Sequence, residues 1–512
     1  MLHIEGGHRR SGLILRFAGI AAAVTVYLLL GRAESISPDA RIVASIGVLM
    51  AIWWMTEAVP LSATALLPIA LFPSLGDTTI AQATAPYANP IIFLFFGGFL
   101  IAIAMEKWSL HRRIAHMTLS RVGLQPRRIV LGMMLTTAFL SMWVSNTATV
   151  LMMLPIGMSV LSLVAARTEQ PKRSVEATGL ISEQIEDPQV RSFGICLVLG
   201  IAWAASIGGL GTLLGSPPNA IVSAYASKEL GQTIGFLHWM IIGVPLALIF
   251  TLVAWWLMTR VLYRFDLEEV PGGHEMLDEQ VQNLGPMSQG EWIVLGVFLA
   301  AVVLWVVPGL LGASPAMRSL LPWIGNFNDT AIAVSAGLVL FFLPGNGHSN
   351  MVLTWDDVKR GMPWDVLLLF GGGLSLADAV TSSGLDNWIG TQVSALGSFP
   401  DVVLISLVVA LIIFLTEVTS NTATAATFVP VLGGVAAGAN LEPLSLIVPA
   451  TLAASCAFML PVGTPPNAIV FGTGRVTIGQ MARGGVIMNL VGVILIILTW
   501  YLLGGYVMRL SP

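Results

Sequence analysis

The stretch SNTATVLMMLP runs from Ser145 to Pro155 and is followed by GSPPNAIV from Gly215 to Val222. The pair returns as SNTATAATFVP, Ser420 to Pro430, and GTPPNAIV, Gly463 to Val470. Identity is 6 of 11 residues in the first motif and 7 of 8 in the second. All four segments lie in apolar surroundings. Polar, helix-breaking motifs at membrane depth are costly unless they line a cavity. Two matched sets, one in each half of the chain, point to two halves of one ion or substrate site.

The rest of the chain fits a membrane setting. Hydrophobic residues make up 55% of it and charged residues 10%, against about 25% charged in a soluble domain. Mean hydropathy is +0.83. The net charge of −4 gives no ground for a nucleic-acid partner. Cys196 and Cys456 sit inside apolar runs without metal-ligand or disulfide spacing, and read as small buried residues. Arg9, Arg10 and Arg16 precede an apolar run that is long for a signal peptide, so it reads as a retained first helix.

Apolar runs predict eleven spans, at about 14–31, 42–58, 61–74, 89–105, 193–214, 237–262, 292–309, 329–344, 364–380, 443–462 and 483–507. Two further runs, 129–165 and 401–436, hold the SNT motifs near their middles. Each is too long for one span and reads as a re-entrant hairpin, tolerated when buried in protein. With the N-terminus cytoplasmic, 19 Lys and Arg fall on inner segments and 5 on outer ones, a bias that sets orientation. The hairpins then enter from opposite sides, as in an inverted repeat. Phe96-Gly97-Gly98 and Phe370-Gly371-Gly372 stand 274 residues apart, and the motif serines 275. Asn219 and Asn467 stand only 248 apart, because the polar stretch 167–191 lengthens the first copy. The basic segment 107–128 reads as an amphipathic helix on the cytoplasmic surface or as an ordinary charged loop. Its counterpart, 384–399, has no Lys or Arg.

Each Gly-x-Pro-Pro-Asn turn must unwind a helix, since proline lacks a backbone donor, and proline suits the first turn of the helix that resumes. A broken helix offers free carbonyl oxygens, which suit a hard cation such as sodium, and N-terminal amides, which suit a carboxylate or sulfate. Ser, Asn and Thr side chains add neutral oxygens and N–H donors. No Lys or Arg lies in either tip or either turn. Bound sodium would supply the missing positive charge, so each ion would help form the other's site. Ser and Thr in membrane helices often only bond back to their own helix; the duplication of both motifs weighs against that reading. Of the membrane-embedded carboxylates Glu57, Glu106, Asp365, Asp378 and Glu417, the last stands three residues before Ser420, and its positional partner is Met142. It reads as a brace for the hairpin, with a proton relay as the alternative. Glu57, near a span end, reads as a packing or capping residue. The histidines lie outside the motifs.

At these residues the chain resembles the divalent anion:sodium symporter family, which carries dicarboxylates, citrate and sulfate. The likeness covers nearly the whole chain, including WWMTEAVPLSATALLPIALFP from Trp53 to Pro73. It implies an all-α polytopic membrane protein with about 11 transmembrane helices and two re-entrant hairpins, an inverted repeat and an elevator-type mechanism. It further implies homodimers and a scaffold domain at the dimer interface. Residues 1–41 would hold the N-terminal helix, 42–262 the first repeat, 263–291 a cytoplasmic connection and 292–512 the second repeat. The first repeat would comprise scaffold helices 42–105, interfacial helix 107–128, hairpin 129–165 and broken helix 193–230. The second would comprise scaffold helices 292–380, interfacial helix 384–399, hairpin 401–436, broken helix 443–475 and last helix 483–507.

The resemblance also implies that Asn146, Thr147, Asn421 and Thr422 contact a carboxylate substrate, with Ser216, Pro217, Thr464 and Pro465 from the broken helices. One sodium ion would sit near Ser141, Ser145, Asn146 and Gly215, and another near Thr416, Thr419, Asn421 and Gly463. Ser141 and Thr416 each precede the motif serine by four residues, so one helical turn would join both oxygens. Ser216 stands where the family often has Thr. The expected activity is sodium-coupled import of a C4-type dicarboxylate such as succinate, malate or fumarate. A sodium-independent exchanger and a sulfate carrier are the nearest alternatives. A channel would conduct without coupling, and an enzyme would need a nucleophile–base pair or metal cluster, which the motifs lack. The expected setting is the lipid of a bacterial inner (plasma) membrane, with the N-terminus cytoplasmic and the C-terminus outside.

Overall fold

Proline and short polar residues set where helices begin. Ser37, Asn89 and Asp187 each accept a backbone N–H from the first turn ahead of a proline at Pro38, Pro90 and Pro188, the usual chemistry of a helix start. The computed structural model describes residues 4–33, 35–114, 117, 125–169, 187–267, 285–312, 315–346, 351–393 and 399–505. Arg121, Lys172, Arg173 and Arg509, and parts of segments 107–128, 263–291 and 384–399, lie outside the described residues.

The main helices are α1 (Ile4–Leu30), α2 (Pro38–Thr56), α3 (Pro90–Lys107), α4 (Pro126–Ser141), α5 (Asn146–Glu169), α6 (Pro188–Gly208), α7 (Pro217–Glu229) and α8 (Phe236–Leu257). Then come α9 (Gln289–Gly312), α10 (Asp329–Phe342), α11 (Trp364–Ser382), α12 (Asp401–Thr416), α13 (Asn421–Gly438), α14 (Pro443–Ala454), α15 (Pro465–Phe471) and α16 (Ile478–Thr499). Among the described residues, 8 helices are long and apolar enough to cross a membrane. This is an all-α polytopic membrane protein. Three of the eleven predicted spans are shorter. The run 61–74 divides into Leu61–Thr64 and Leu67–Leu75, the run 329–344 is a helix of 14 residues, and the run 443–462 is helical only to Ala454.

Two helices form the centre. α6 packs against α4 and α5, and α14 against α12 and α13. From Phe193 to Gly208, α6 is buried at every residue. At Gly208 an added Cβ would collide with the Ala138 backbone of α4, so the closest approach of α4 to α6 requires glycine. On the other side α3 crosses α10, with Gly97 against Ala333 and Gly337 against Leu100. By contrast, α1 is almost wholly exposed and packs on α2, as a helix facing lipid can. Glu57 stands at the C-cap of α2 in the left-handed region, φ 49°.

The basic arm after α3 is tied down where it is described. Lys107 pairs with Asp357 at 2.7 Å, the Trp108 indole donates to the Val352 carbonyl, and Arg113 pairs with Glu291 at 2.8 Å. In segment 384–399, a helix runs over Leu385–Gln392 from a left-handed Gly384.

Candidate substrate and cation site

Both SNT motifs fall at helix breaks. α4 stops at Ser141 and α5 starts at Asn146; α12 stops at Thr416 and α13 starts at Asn421. Both Pro-Pro-Asn turns also open a helix, α7 after Gly209–Ser216 and α15 after Ser455–Thr464. Four helices therefore begin within the motifs. α5 and α13 open with backbone N–H groups at Asn146, Thr147, Asn421 and Thr422, whereas prolines fill the first two positions of α7 and α15 and leave none there. α7 packs against α13 and α15 against α5, so each half's resumed helix lies on the other half's hairpin.

The first oxygen set gathers around Asn146. The Ser141 hydroxyl donates to Asn146 Oδ1 at 2.5 Å. That end of the amide also lies 3.1 Å from the Ala205 carbonyl and 3.2 Å from the Gly215 carbonyl. Carbonyls cannot donate. With its NH2 turned to them, Asn146 donates to both. With Oδ1 turned to them, the cluster holds only acceptors on that side, which a cation would reconcile. Gly215 has no room for a side chain, since a Cβ would lie 2.6 Å from the Gly209 carbonyl.

The second set repeats the pattern. The Thr416 hydroxyl lies 2.7 Å from Asn421 Oδ1 and 2.8 Å from the Ala454 carbonyl, two acceptors that share its one proton. A Cβ on Gly463 would lie 3.0 Å from the Glu417 carbonyl and 3.3 Å from Glu417 Oε2.

Not every candidate joins these sets through its side chain. Ser141 bonds Asn146 rather than Ser145, because the helix ends at Ser141 and no further turn brings residue 145 over it. The Ser145 hydroxyl instead accepts from the Ala148 N–H at 3.3 Å. Thr419 turns to the Leu415 carbonyl at 2.9 Å and to Thr424 at 2.7 Å. Ser216 is buried against Ser455, and Thr464 is buried and caps α15. Thr147 and Thr422 are half-buried one residue into their helices, Pro217 is half-buried and Pro465 exposed.

Asn219, Asn467 and Thr212 shape the site, although the sequence reading gave them no role in it. The Asn219 amide donates to the carbonyls of Gly209 at 2.9 Å and Thr212 at 2.8 Å. Asn467 does the same for Ala457 and Leu460, both at 3.1 Å. These asparagines lace the unwound strand to the restarted helix, and their place in both Pro-Pro-Asn turns was the available signal. Thr212 donates to the Met142 carbonyl, tying the first turn to its hairpin. Glu417 does this in the second half. Its carboxylate accepts backbone N–H groups from Phe458, Met459 and Leu460 at 2.7–3.1 Å, and the Asn489 amide at 2.7 Å. Glu417 is thus a brace between α12, the second turn and α16.

Among the described residues no group of three or more His, Cys, Asp or Glu could hold a metal. The oxygens available are neutral hydroxyls, amides and carbonyls, a donor set for a hard monovalent cation. The family model described as the sodium:sulfate symporter transmembrane region matches residues 12–510. The chain belongs to this symporter family. It is therefore a transporter rather than an enzyme. Among the family's relatives, the sodium-dependent dicarboxylate transporter SdcS of Staphylococcus saprophyticus is 40% identical over 478 residues, 93% of this chain and 88% of that one. The protein of the same description from Staphylococcus aureus is 40% identical over 461 residues, 90% of this chain and 85% of that one. Two solved structures share the symporter's fold. The Alcanivorax borkumensis YdaH transporter has a TM-score of 0.54 at 15% identity and covers 91% of this chain and 100% of its own. Neisseria gonorrhoeae MtrF, described as an antimetabolite efflux pump, has a TM-score of 0.52 at 12% identity and covers 91% of this chain and 95% of its own.

Proposed function

We propose that this protein imports a C4-type dicarboxylate, such as succinate, malate or fumarate, together with sodium ions. Relatives 40% identical over most of the chain are described as sodium-dependent dicarboxylate transporters. The observation that carries the reading is the pairing of neutral oxygen sets with helix starts in both halves. Such a site lacks a fixed cation for a dianion, so sodium supplies it. One sodium ion lies among Ser141, Asn146, Ala205 and Gly215, and the other among Thr416, Asn421, Ala454 and Gly463. The backbone of Ser145 and Thr419 adds oxygens to these sets. Substrate carboxylates lie between the tips, on the N–H groups and side chains of Asn146, Thr147, Asn421 and Thr422. Pro217 and Pro465 line the restarted helices, and Ser216 and Thr464 act through their backbone.

The hairpins α4–α5 and α12–α13 are re-entrant from opposite faces, and the two halves form an inverted repeat. The charge bias sets the N-terminus in the cytoplasm and the C-terminus outside a bacterial plasma membrane. Hairpins and broken helices move as one body past a scaffold of 42–105 and 292–380, held by the interfacial segments 107–128 and 384–399. The scaffold is the seat of the homodimer. Sulfate is the second substrate to test, because the family's description names it. Uptake of labelled succinate into liposomes, with sulfate and citrate as competitors, separates the two. Competition by sulfate alone would favour the inorganic anion.

A further inference from the structure

Ser216 and Ser455 come from different halves of the chain, yet their hydroxyls lie 3.0 Å apart with both residues fully buried. Each is next in sequence to a carbonyl of a different oxygen set. Ser216 follows Gly215, whose carbonyl faces Asn146. Ser455 follows Ala454, whose carbonyl accepts from Thr416 at 2.8 Å. One hydrogen bond thus spans the gap between the two sets.

The bond is not a by-product of the repeat. Ala453-Ala454-Ser455 matches Ala204-Ala205-Ser206 at an offset of 249, yet the buried Ser206 hydroxyl has no hydrogen-bond partner, so the repeat does not make this bond twice. Nor is it a helix cap. Thr464, at the matching turn, accepts from the Asn467 N–H at 3.4 Å, whereas Ser216 makes no side-chain cap to α7. The first turn's hydroxyl is directed across to the other half.

We propose that Ser455 is a positioning residue that couples the two cation sites through Ser216. This rests on the two-cation reading given above. A cation held by the Gly215 carbonyl fixes the Gly215–Ser216 peptide and with it the Ser216 hydroxyl. The buried hydrogen bond, free of competing water, then fixes Ser455 and the preceding peptide, which presents the Ala454 carbonyl. The second cation finds its oxygen already placed, and the effect is reciprocal.

The test is a sodium titration of purified full-length protein, read both as sodium-induced thermal stabilisation and as succinate uptake in liposomes. The unmodified protein should show a Hill coefficient above 1. Ser455→Ala should lower it toward 1 and raise half-saturating sodium by about fivefold, with uptake at saturating sodium retained. Ser455→Cys, which keeps the volume with a weak donor, should behave like the alanine variant. The Ser216→Ala, Ser455→Ala double variant should lose no more than the worse single variant. Additive losses, or unchanged cooperativity in Ser455→Ala and Ser455→Cys, would overturn the coupling. A sodium response without cooperativity in the unmodified protein would also overturn it. Absence of any sodium response would instead remove the cation reading beneath it.

Discussion

Asn146 and Asn421 each stand at a helix start, bonded to the hydroxyl at the end of the preceding helix. In the proposed site each amide serves a cation with one end and a carboxylate with the other. Asn146→Ala or Asn421→Ala should therefore cut uptake by at least tenfold, since each loses two charge-assisted contacts of about 1.5–3 kcal/mol apiece. Membrane insertion and elution as a folded particle should be kept. Near-normal uptake by either variant would refute the two-tip site. Glu417 has a different task. Glu417→Gln leaves N–H groups of Phe458, Met459 and Leu460 facing a neutral amide in place of a carboxylate. We expect a stability loss of about 1.5–3 kcal/mol, read as a lower melting temperature, with half-saturating sodium unchanged. A changed sodium dependence at full stability would mean the carboxylate acts on the cation and not as a brace.

At the level of helices, the breaks were legible because proline and glycine act through the backbone alone. Pro217, Pro218, Pro465 and Pro466 remove donors wherever they stand, and each pair opens a helix here. Helix lengths were less legible. Nothing in the apolar run 443–462 announces that the helix stops at Ala454, because Glu417, whose carboxylate takes up the N–H groups of the unwound strand, and Asn489, which donates to that carboxylate, lie far away in sequence. The helical turn expected from Ser141 to Ser145 does not form, because α4 ends at Ser141 and the Ser141 hydroxyl bonds Asn146 instead. Packing at Gly208 gives a direct test of the central helix pair. A valine there must displace the Ala138 backbone, so Gly208→Val should cost about 1–3 kcal/mol or more. Unfolding in detergent would show it. A variant as stable as the parent would mean that α4 does not lie against α6.

For the molecule as a whole, the charge bias points to a cytoplasmic N-terminus, and that proposed orientation can be read by labelling. Both native cysteines are buried, so single cysteines introduced on exposed loops can be labelled over a low background. A cysteine replacing Arg264 should react with an impermeant maleimide only in inside-out vesicles, and one replacing Arg32 only in intact cells. The reverse pattern would invert the proposed orientation, and with it the sides from which the hairpins enter.

Coupling is tested most directly by uptake of labelled succinate into liposomes holding the purified protein, with and without an inward sodium gradient. Uptake should appear only with the gradient and be reduced by excess unlabelled dicarboxylate. Uptake that ignores sodium but requires dicarboxylate inside the liposome would contradict it and make the protein an exchanger.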